Sequence, residues 1–332
     1  VISVMLPPMA IFFPAFTFLE DLGYLPRVAF NLDWMFKKAG AHGKQSLTMA
    51  MGFGCNAAGV VATRVIDSPR ERLIAILTNN FVPCNGRFPT LIMLATVFVA
   101  AGYGGFTSSI IAAGTVVGVV LIGVGFTFLM SWVLSRTVLK GEASAFTLEL
   151  PPYRRPNVSR ILYTSIIDRT IFVLWRAMQT AAPAGALIWI LANVPFGDTN
   201  LAAAIANWLN PFGVLLGLDG VILLSYIIAI PANEIVVPTM MMMYTGAGMM
   251  VNGPGTSDAI RTLLIDQNGW TMLTAINLML FALLHNPCAT TIMTIYKETK
   301  SYKWATVSVV ITLGVAFLVT FLTASAARLL GW

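Results

Sequence analysis

The stretch NNFVPCNGRFPT, residues 79–90, stands inside a long apolar run. A lipid-spanning helix needs regular backbone and no charge there, yet Pro83, Asn85, Gly86 and Arg87 interrupt it. Residues 283–293, LLHNPCATTIM, repeat the interruption near the other end of the chain. Proline has no N–H to donate, so each Pro-Cys pair frees carbonyls of the preceding turn. At membrane depth such carbonyls are tolerated only where protein or a water-filled cavity surrounds them. A single break reads as a kink; two breaks with the same dipeptide point to a site.

Composition sets the solvent. Of 332 residues, 57% are apolar and 10% charged, with mean hydropathy +0.80. Soluble domains carry about 25% charged residues, so this is a polytopic membrane protein. The net charge of +6 is read as basic cytoplasmic loops, with no nucleic-acid partner. Cys55, Cys84 and Cys288 all lie in apolar context, and an odd number at membrane depth is no disulfide framework. The chain opens at Val1 with neither Met nor a basic leader, which reads as part of a longer polypeptide.

Apolar segments fall at 1–20, 45–66, 72–100, 108–136, 174–195, 220–244, 270–297 and 303–326. Apart from Arg87, Arg261 and Arg328, all Lys and Arg sit in four polar segments: 20–44, 64–72, 136–176 and 297–303. The positive-inside rule places these four in the cytoplasm. Segment 45–66 then has both ends on the basic side and is expected to dip in and return. Segment 220–244, flanked by Asp198, Asp219, Asp258 and Asp266, is expected to dip from outside. Six segments are then expected to cross and two to be hairpins; the alternative is eight ordinary spans, which would put one basic loop on the wrong side.

The hairpins belong to a repeat. An offset of 177 residues lays residues 43–66 over 220–243, with Cys55 on Ala232 and Asn56 on Asn233. The same offset lays residues 23–40 over 200–217, and the two Pro-Cys pairs follow at an offset of 204. The expected fold is an all-α polytopic membrane protein, an inverted repeat with re-entrant hairpins and broken transmembrane helices. Residues 1–136 form the first repeat. Residues 137–172 form a cytoplasmic linker with a basic amphipathic segment, and 173–332 the second repeat with a final transmembrane helix.

Cys84, Asn85 and Cys288 stand at the breaks; Cys55, Asn56, Asn233 and Glu234 stand at the hairpin tips. Carbonyls, amides and thiols are expected to gather there near the midplane. Glu234 is the one acidic residue deep within an apolar segment, and an intramembrane carboxylate is a functional hypothesis by default. The bland alternative is a protonated Glu bonded to a carbonyl. Arg87 either neutralises Glu234 or bonds the C-terminal carbonyls of the broken helix. His285 and Asn286, just before Pro287, either line the path or pack. Cys55 alone could equally pack as a small apolar residue. Thiol, amide and carboxylate together suit a borderline transition metal better than Mg²⁺ or Ca²⁺. The run of methionines at 240–243 reads as packing, and His42 beside Lys44 as a solvated turn residue. GAHGKQS, residues 40–46, lacks phosphate-loop spacing and has no Ser or Thr directly after Lys44, so no GTP site is expected.

Seven stretches carry a resemblance: FLEDLGYLPRVAF, HGKQSLTMAMGFGCNAAGVVATR, RERLIAIL, VPCNGRFPT, ELPPYRRP, ANEIVV and PCATTIMTIYKETKSYKWA. Taken in order, they resemble the membrane domain of the ferrous iron transport protein B (FeoB) family, over essentially the whole chain. The resemblance implies two gate motifs, a bacterial inner-membrane location and Fe²⁺ as the transported substrate; Mn²⁺ or a nucleoside-like solute are the alternatives. It also implies a GTPase domain N-terminal to Val1 in the parent polypeptide, with no enzymatic activity in this chain. Small accessory Feo proteins, self-association and membrane lipid complete the implied partners.

Overall fold

The computed structural model describes residues 10–11, 14–19, 21–141, 157, 163, 171–196, 199–245 and 260–331. The expected span over 1–20, the linker at 137–172 and the loop carrying Asp258 lie largely outside these residues. Helices make up nearly all of the described chain: α1 (Tyr24–Lys38), α2 (Gln45–Gly54), α3 (Asn56–Ala62), α4 (Pro69–Thr78), α5 (Phe88–Leu94), α6 (Gly105–Arg136), α7 (Phe172–Asn193), α8 (Leu201–Leu215), α9 (Gly220–Ile228), α10 (Val236–Thr245), α11 (Met272–Leu284), α12 (Ala289–Thr299) and α13 (Tyr302–Leu329). A two-stranded antiparallel ladder, β1 (Pro195–Phe196) with β2 (Thr199–Asn200), leads into α8.

This is an all-α multi-pass membrane protein. Gly105–Arg136, Met272–Thr299 and Tyr302–Leu329 are each long and apolar enough to cross a bilayer, and Leu201–Leu215 with Gly220–Ile228 form an apolar pair bent by 110°. The two segments expected as hairpins divide instead into short helices of 10 and 7 residues and of 9 and 10. None reaches the ~20 residues that a crossing helix needs. In each pair the second helix packs back on the first, α2 with α3 and α9 with α10.

The chain forms two compact units. One comprises Val1–Gly86, Leu121–Met178 and Ala289–Val310. Its core joins Phe36, Ala41, Met49, Ile74 and Val82, and a second cluster of Val60, Ile76, Ile295 and Ala305 seats α12 on α3. Arg64 and Arg72 both bind the Glu298 carboxylate, at 2.6 and 2.7 Å, at the end of that packing. The other unit comprises Arg87–Val120, Gln179–Cys288 and Ile311–Trp332. Here α5 packs on α10 and α11, over a core that includes Ile222, Met240, Met241, Leu264 and Leu284. The methionine run is therefore packing, as its composition suggested. The first unit thus holds α2, α3 and α12, and the second holds α9, α10 and α5.

Local geometry repeats residue for residue at the offset of 177. Helix α1 maps onto α8, both 15 residues long. Each ends at a left-handed glycine, Gly40 at φ 71° and Gly217 at φ 67°. The next turn is locked the same way twice. The Gly43 N–H donates to Asp33 Oδ1 at 2.9 Å, and the Gly220 N–H to Asn210 Oδ1 at 3.2 Å. Both glycines press on the preceding helix. A Cβ on Gly43 would come 2.7 Å from the Ala29 carbonyl oxygen, and one on Gly220 would come 1.8 Å from that of Ala206. At the hairpin tips, Cys55 (φ −155°, ψ 123°) and Ala232 (φ −153°, ψ 115°) adopt the same extended backbone.

His42 corrects one expectation. It does sit in the turn before α2, but it is 5% exposed, and its Nδ1 accepts from the Lys44 N–H at 3.0 Å. The turn folds under α1 because Gly43 must reach Asp33, and this carries the ring inward. Burial holds the imidazole below its usual value, against the opposing field of Glu71.

Two outcomes follow. Gly220→Ala should destabilise the detergent-solubilised chain by at least the ~1–3 kcal/mol typical of overpacking. Gly314→Ala, where an added Cβ meets nothing within 4 Å, should change stability by no more than about 1 kcal/mol, in the favourable direction. Thermal unfolding followed by size-exclusion chromatography compares the two, and equal midpoints would contradict the packing described. For His42 the folded pKa lies below the unfolded value of ~6.5, so on acidification the unfolded state takes the proton first. Stability is then full above about pH 6.5 and declines as pH falls below it. His42→Gln should flatten that part of the pH profile.

Candidate functional site

In the first unit the site is built where the hairpin tip meets the helix break. Helix α2 ends at Gly54, Cys55 is extended, and α3 begins at Asn56. After α4 the chain tightens into a 3₁₀ turn, Asn79–Phe81, then runs through Val82 and Pro83 to Cys84 and Asn85. The Asn85 N–H donates to the Gly54 carbonyl at 3.4 Å, so break and tip touch through backbone. Asn56, Asn79 and Asn80 are buried together. The Asn79 amide donates to the Asn56 carbonyl at 3.1 Å, and the Asn56 side chain lies 3.1 Å from that of Asn80. Turned over, the Asn56 amide nitrogen donates to the Gly52 and Val82 carbonyls at 3.2 Å. Cys55, Cys84 and Asn85 are half-buried.

In the second unit the break lies between α11 and α12, at His285, Asn286, Pro287 and Cys288. Arg87, 2% exposed, donates to the Leu283 carbonyl at 2.7 Å, to that of His285 at 2.9 Å and to that of Asn286 at 3.5 Å. Of the two roles open to it, Arg87 thus fills the second and binds the C-terminal carbonyls of a broken helix. His285 is packed: its ring meets Tyr226 edge-on at 4.6 Å and stacks on Phe281, and its Nδ1 lies 3.0 Å from the Ala282 carbonyl oxygen. Asn286 is buried and turns its amide to the Pro287 carbonyl at 3.3 Å. At the tip, Asn233 is buried and Glu234 half-buried within the 3₁₀ turn Asn233–Ile235. Cys288 is half-buried, and none of the three cysteines forms a disulfide. Among the described residues, no three His, Cys, Asp or Glu side chains gather as a metal-holding cluster.

The residues of both tips and both breaks fall within the match to a family model. The Gate family, described as nucleoside recognition, matches residues 2–98 and 174–302, which include both tips and both breaks. The chain belongs to the Gate family. A second model, the ferrous iron transport protein B C terminus, matches residues 116–168. The chain also resembles named proteins over nearly its whole length. It is 30% identical over 332 residues to the Fe(2+) transporter FeoB of Staphylococcus aureus (strain MSSA476), covering 97% of this chain and 46% of that protein. The Fe(2+) transporter FeoB of Campylobacter jejuni is 27% identical, over 99% of this chain and 54% of that protein. An Fe(2+) transport protein A/Fe(2+) transporter FeoB fusion protein of Porphyromonas gingivalis is 28% identical, over 97% and 42%. The chain thus spans about half the length of the curated relatives it matches. No solved structure matches it at a significant level.

Sequence reasoning passed over Asn79 and Asn80, although they open the stretch that marks the break. Two adjacent amides one turn before a proline in an apolar run were the available signal. It also passed over a polar group at the base of the second Gate hairpin. There the Tyr244 hydroxyl donates to Asp219, the Trp270 indole N–H donates to Tyr244 at 3.1 Å, and Asp219 caps α9 through the Ile222 N–H at 2.7 Å. These residues are far apart in sequence and only the fold brings them together.

Arg87→Met removes the guanidinium and leaves the α11 carbonyls buried without it. At ~1–3 kcal/mol for each orphaned acceptor, stability should fall by about 2–4 kcal/mol. Arg87→Lys should recover only part of this, because an ammonium cannot fan out to several carbonyls as a planar guanidinium does. Unfolding midpoints of the three proteins in detergent test it; a wild-type midpoint for Arg87→Met would show that Arg87 does not hold the break.

Proposed function

We propose that this chain is the permease part of a ferrous iron uptake transporter of the bacterial inner membrane. In each unit the ion passes a hairpin tip and a broken helix at mid-membrane. The observation that carries the reading is the double occurrence of one device: an extended residue followed by Asn at the tip (Cys55-Asn56, Ala232-Asn233), and Pro-Cys at the break. Such a device supplies what an ion leaving water needs. Desolvating a divalent cation costs far more than burying a side chain, so ligands must replace the hydration shell. Freed carbonyls, Asn amides and the half-buried thiols of Cys55, Cys84 and Cys288 offer them, with Glu234 as the formal negative charge. Thiol-containing sites favour a transition metal over Mg²⁺. Ligands must also let go, since a site that binds too firmly does not conduct. The cysteines therefore act as partial, transient ligands and Glu234 as the principal one.

The likeness to proteins named Fe(2+) transporters over 97% of the chain supports iron. The basic segments 20–44, 64–72, 136–176 and 297–303 face the cytoplasm on this reading, and the second repeat enters the membrane inverted. A GTPase domain of the parent polypeptide and small accessory Feo proteins are the partners; the name of the Porphyromonas relative, a fusion with Fe(2+) transport protein A, supports the latter. The description of the Gate family as nucleoside recognition favours a second reading, a nucleoside-like solute as cargo.

Glu234→Gln keeps the shape and removes the charge. Expressed in the intact protein at normal membrane levels, it should abolish most Fe²⁺ uptake, while Cys84→Ser and Cys288→Ser weaken uptake or metal selectivity. Radiolabelled iron and uridine uptake in cells lacking their own carriers separate the readings. Iron transport by Glu234→Gln at the unmodified rate would remove Glu234 from the path, and uridine uptake dependent on the same residues would favour the second reading.

A further inference from the structure

We infer that Asn79 is the positioning residue of the first hairpin tip: its amide fixes the Cys55-Asn56 backbone in the form in which the tip presents its groups. The inference deepens the proposed function, since it concerns the tip on which that reading rests.

Three local costs meet at this one side chain. Asn79 is 1% exposed, and its Nδ2 donates to the Asn56 carbonyl at 3.1 Å. Among the described residues its buried Oδ1 has no hydrogen-bond partner, a state that buried acceptors rarely occupy in folded proteins. The amide cannot escape by turning over, because the swap would set Oδ1 against the Asn56 carbonyl oxygen. Two helical glycines make room for it. A Cβ on Gly59 would come 2.5 Å from Nδ2 and 2.8 Å from Oδ1, and one on Gly52 would come 2.9 Å from Oδ1. Glycine within a helix costs stability relative to alanine, and Gly52 lies in α2 while Gly59 lies in α3. An orphaned acceptor and two helix-weakening glycines thus surround a single hydrogen bond. That bond is to the carbonyl of the residue next to Cys55. Local rules are broken together where a site is held in place.

The repeat shows what the device adds. At the offset of 204, Asn79 corresponds to Leu283; at 177, Gly52 and Gly59 correspond to Ala229 and Val236. The second hairpin reaches the same extended backbone at Ala232 without the amide or the two glycines. The backbone shape therefore does not itself require Asn79. What the amide adds is a fixed carbonyl beside a thiol, with the neighbouring Asn56 and Asn80 side chains held at 3.1 Å.

The test has one readout independent of transport and one that depends on it. The intact protein in detergent, with Cys84→Ser and Cys288→Ser, leaves Cys55 as the thiol of this chain to label with a small maleimide. Asn79→Ala should raise the Cys55 labelling rate about tenfold with the unfolding midpoint still cooperative. Gly59→Ala, which displaces the amide from the other side, should do the same and stands in if Asn79→Ala does not fold. Gly314→Ala should leave the rate unchanged. In cells, with all cysteines restored, Asn79→Ala should raise the KM for Fe²⁺ several-fold with little change in maximal rate. An unchanged labelling rate in folded Asn79→Ala and Gly59→Ala overturns the inference. Altered labelling with iron uptake unaffected in both KM and rate would keep Asn79 as the holder of the tip and instead count against the tip as part of an iron path.

Discussion

Carbonyls freed by a proline have to be bound at membrane depth, and this requirement governs the second unit. Lipid offers no donor, and water would need a cavity. The chain answers with Arg87, a residue 196 positions before the first carbonyl it binds. A guanidinium suits the task because its donors fan out in a plane and stay charged under all conditions. The burial of a full charge is offset by contacts to carbonyl oxygens, each the negative end of a helix-terminal dipole. Arg87 also stands at the start of the post-break helix α5, so the residue that ends one interruption stabilises the end of another helix. Within this unit, one side chain thus joins the start of α5 to the end of α11.

A second constraint shapes the entry to each hairpin. The helix before it must turn back sharply, and the turn works because a glycine approaches the helix backbone closer than a Cβ allows. An Asx side chain on that helix then takes the glycine N–H. Asp33 with Gly43 and Asn210 with Gly220 are the same solution with different acceptors. A carboxylate suits the turn flanked by Lys37, which it also pairs with at 2.6 Å. In the second turn the acceptor is an amide, and the nearby Arg328 guanidinium binds the Val214 carbonyl instead. Side-chain identity differs between the two turns while backbone geometry agrees, so the repeat is weak in letters and strong in angles.

Much of the fold could be read in the sequence for this reason. Apolar run lengths, uneven basic residues and the paired Pro-Cys interruptions led to two segments too short to cross and two broken helices, and the structure has paired short helices at the first and helix breaks at the second. The offset of 177 was readable from Gly43, Gly220, Asn56 and Asn233, although nothing in the letters said that Gly43 and Gly220 are steric requirements. The site was less legible. Cys55, Asn56, Asn85 and Asn233 announce themselves as polar or reactive groups in apolar context. Burial of His42 did not, because it follows from how far the turn folds under α1. Packing of His285 among Tyr226 and Phe281 likewise depends on helix α9 reaching α11, a contact between residues about 60 apart in sequence. Arg87 left two partners open because charge alone favours a carboxylate, whereas the helix end needed a donor fan.

The two tips share a backbone and differ in chemistry, and the difference bears on how an ion would be handled. Around Cys55 the groups are uncharged polar ones: the thiols of Cys55 and Cys84, the amides of Asn56, Asn79, Asn80 and Asn85, and backbone carbonyls. Around Asn233 stands the carboxylate of Glu234. Neutral oxygen and sulfur dipoles bind a divalent ion less firmly than a formal charge at the same distance, since charge–charge attraction in a low-dielectric interior exceeds charge–dipole attraction. A tip built of dipoles selects by softness and geometry and lets go readily. One built around a carboxylate compensates the ion's charge and holds it longer. On the proposed reading, placing these functions on separate units lets selection and charge compensation be tuned independently. It also fits tips that share backbone angles but not side chains.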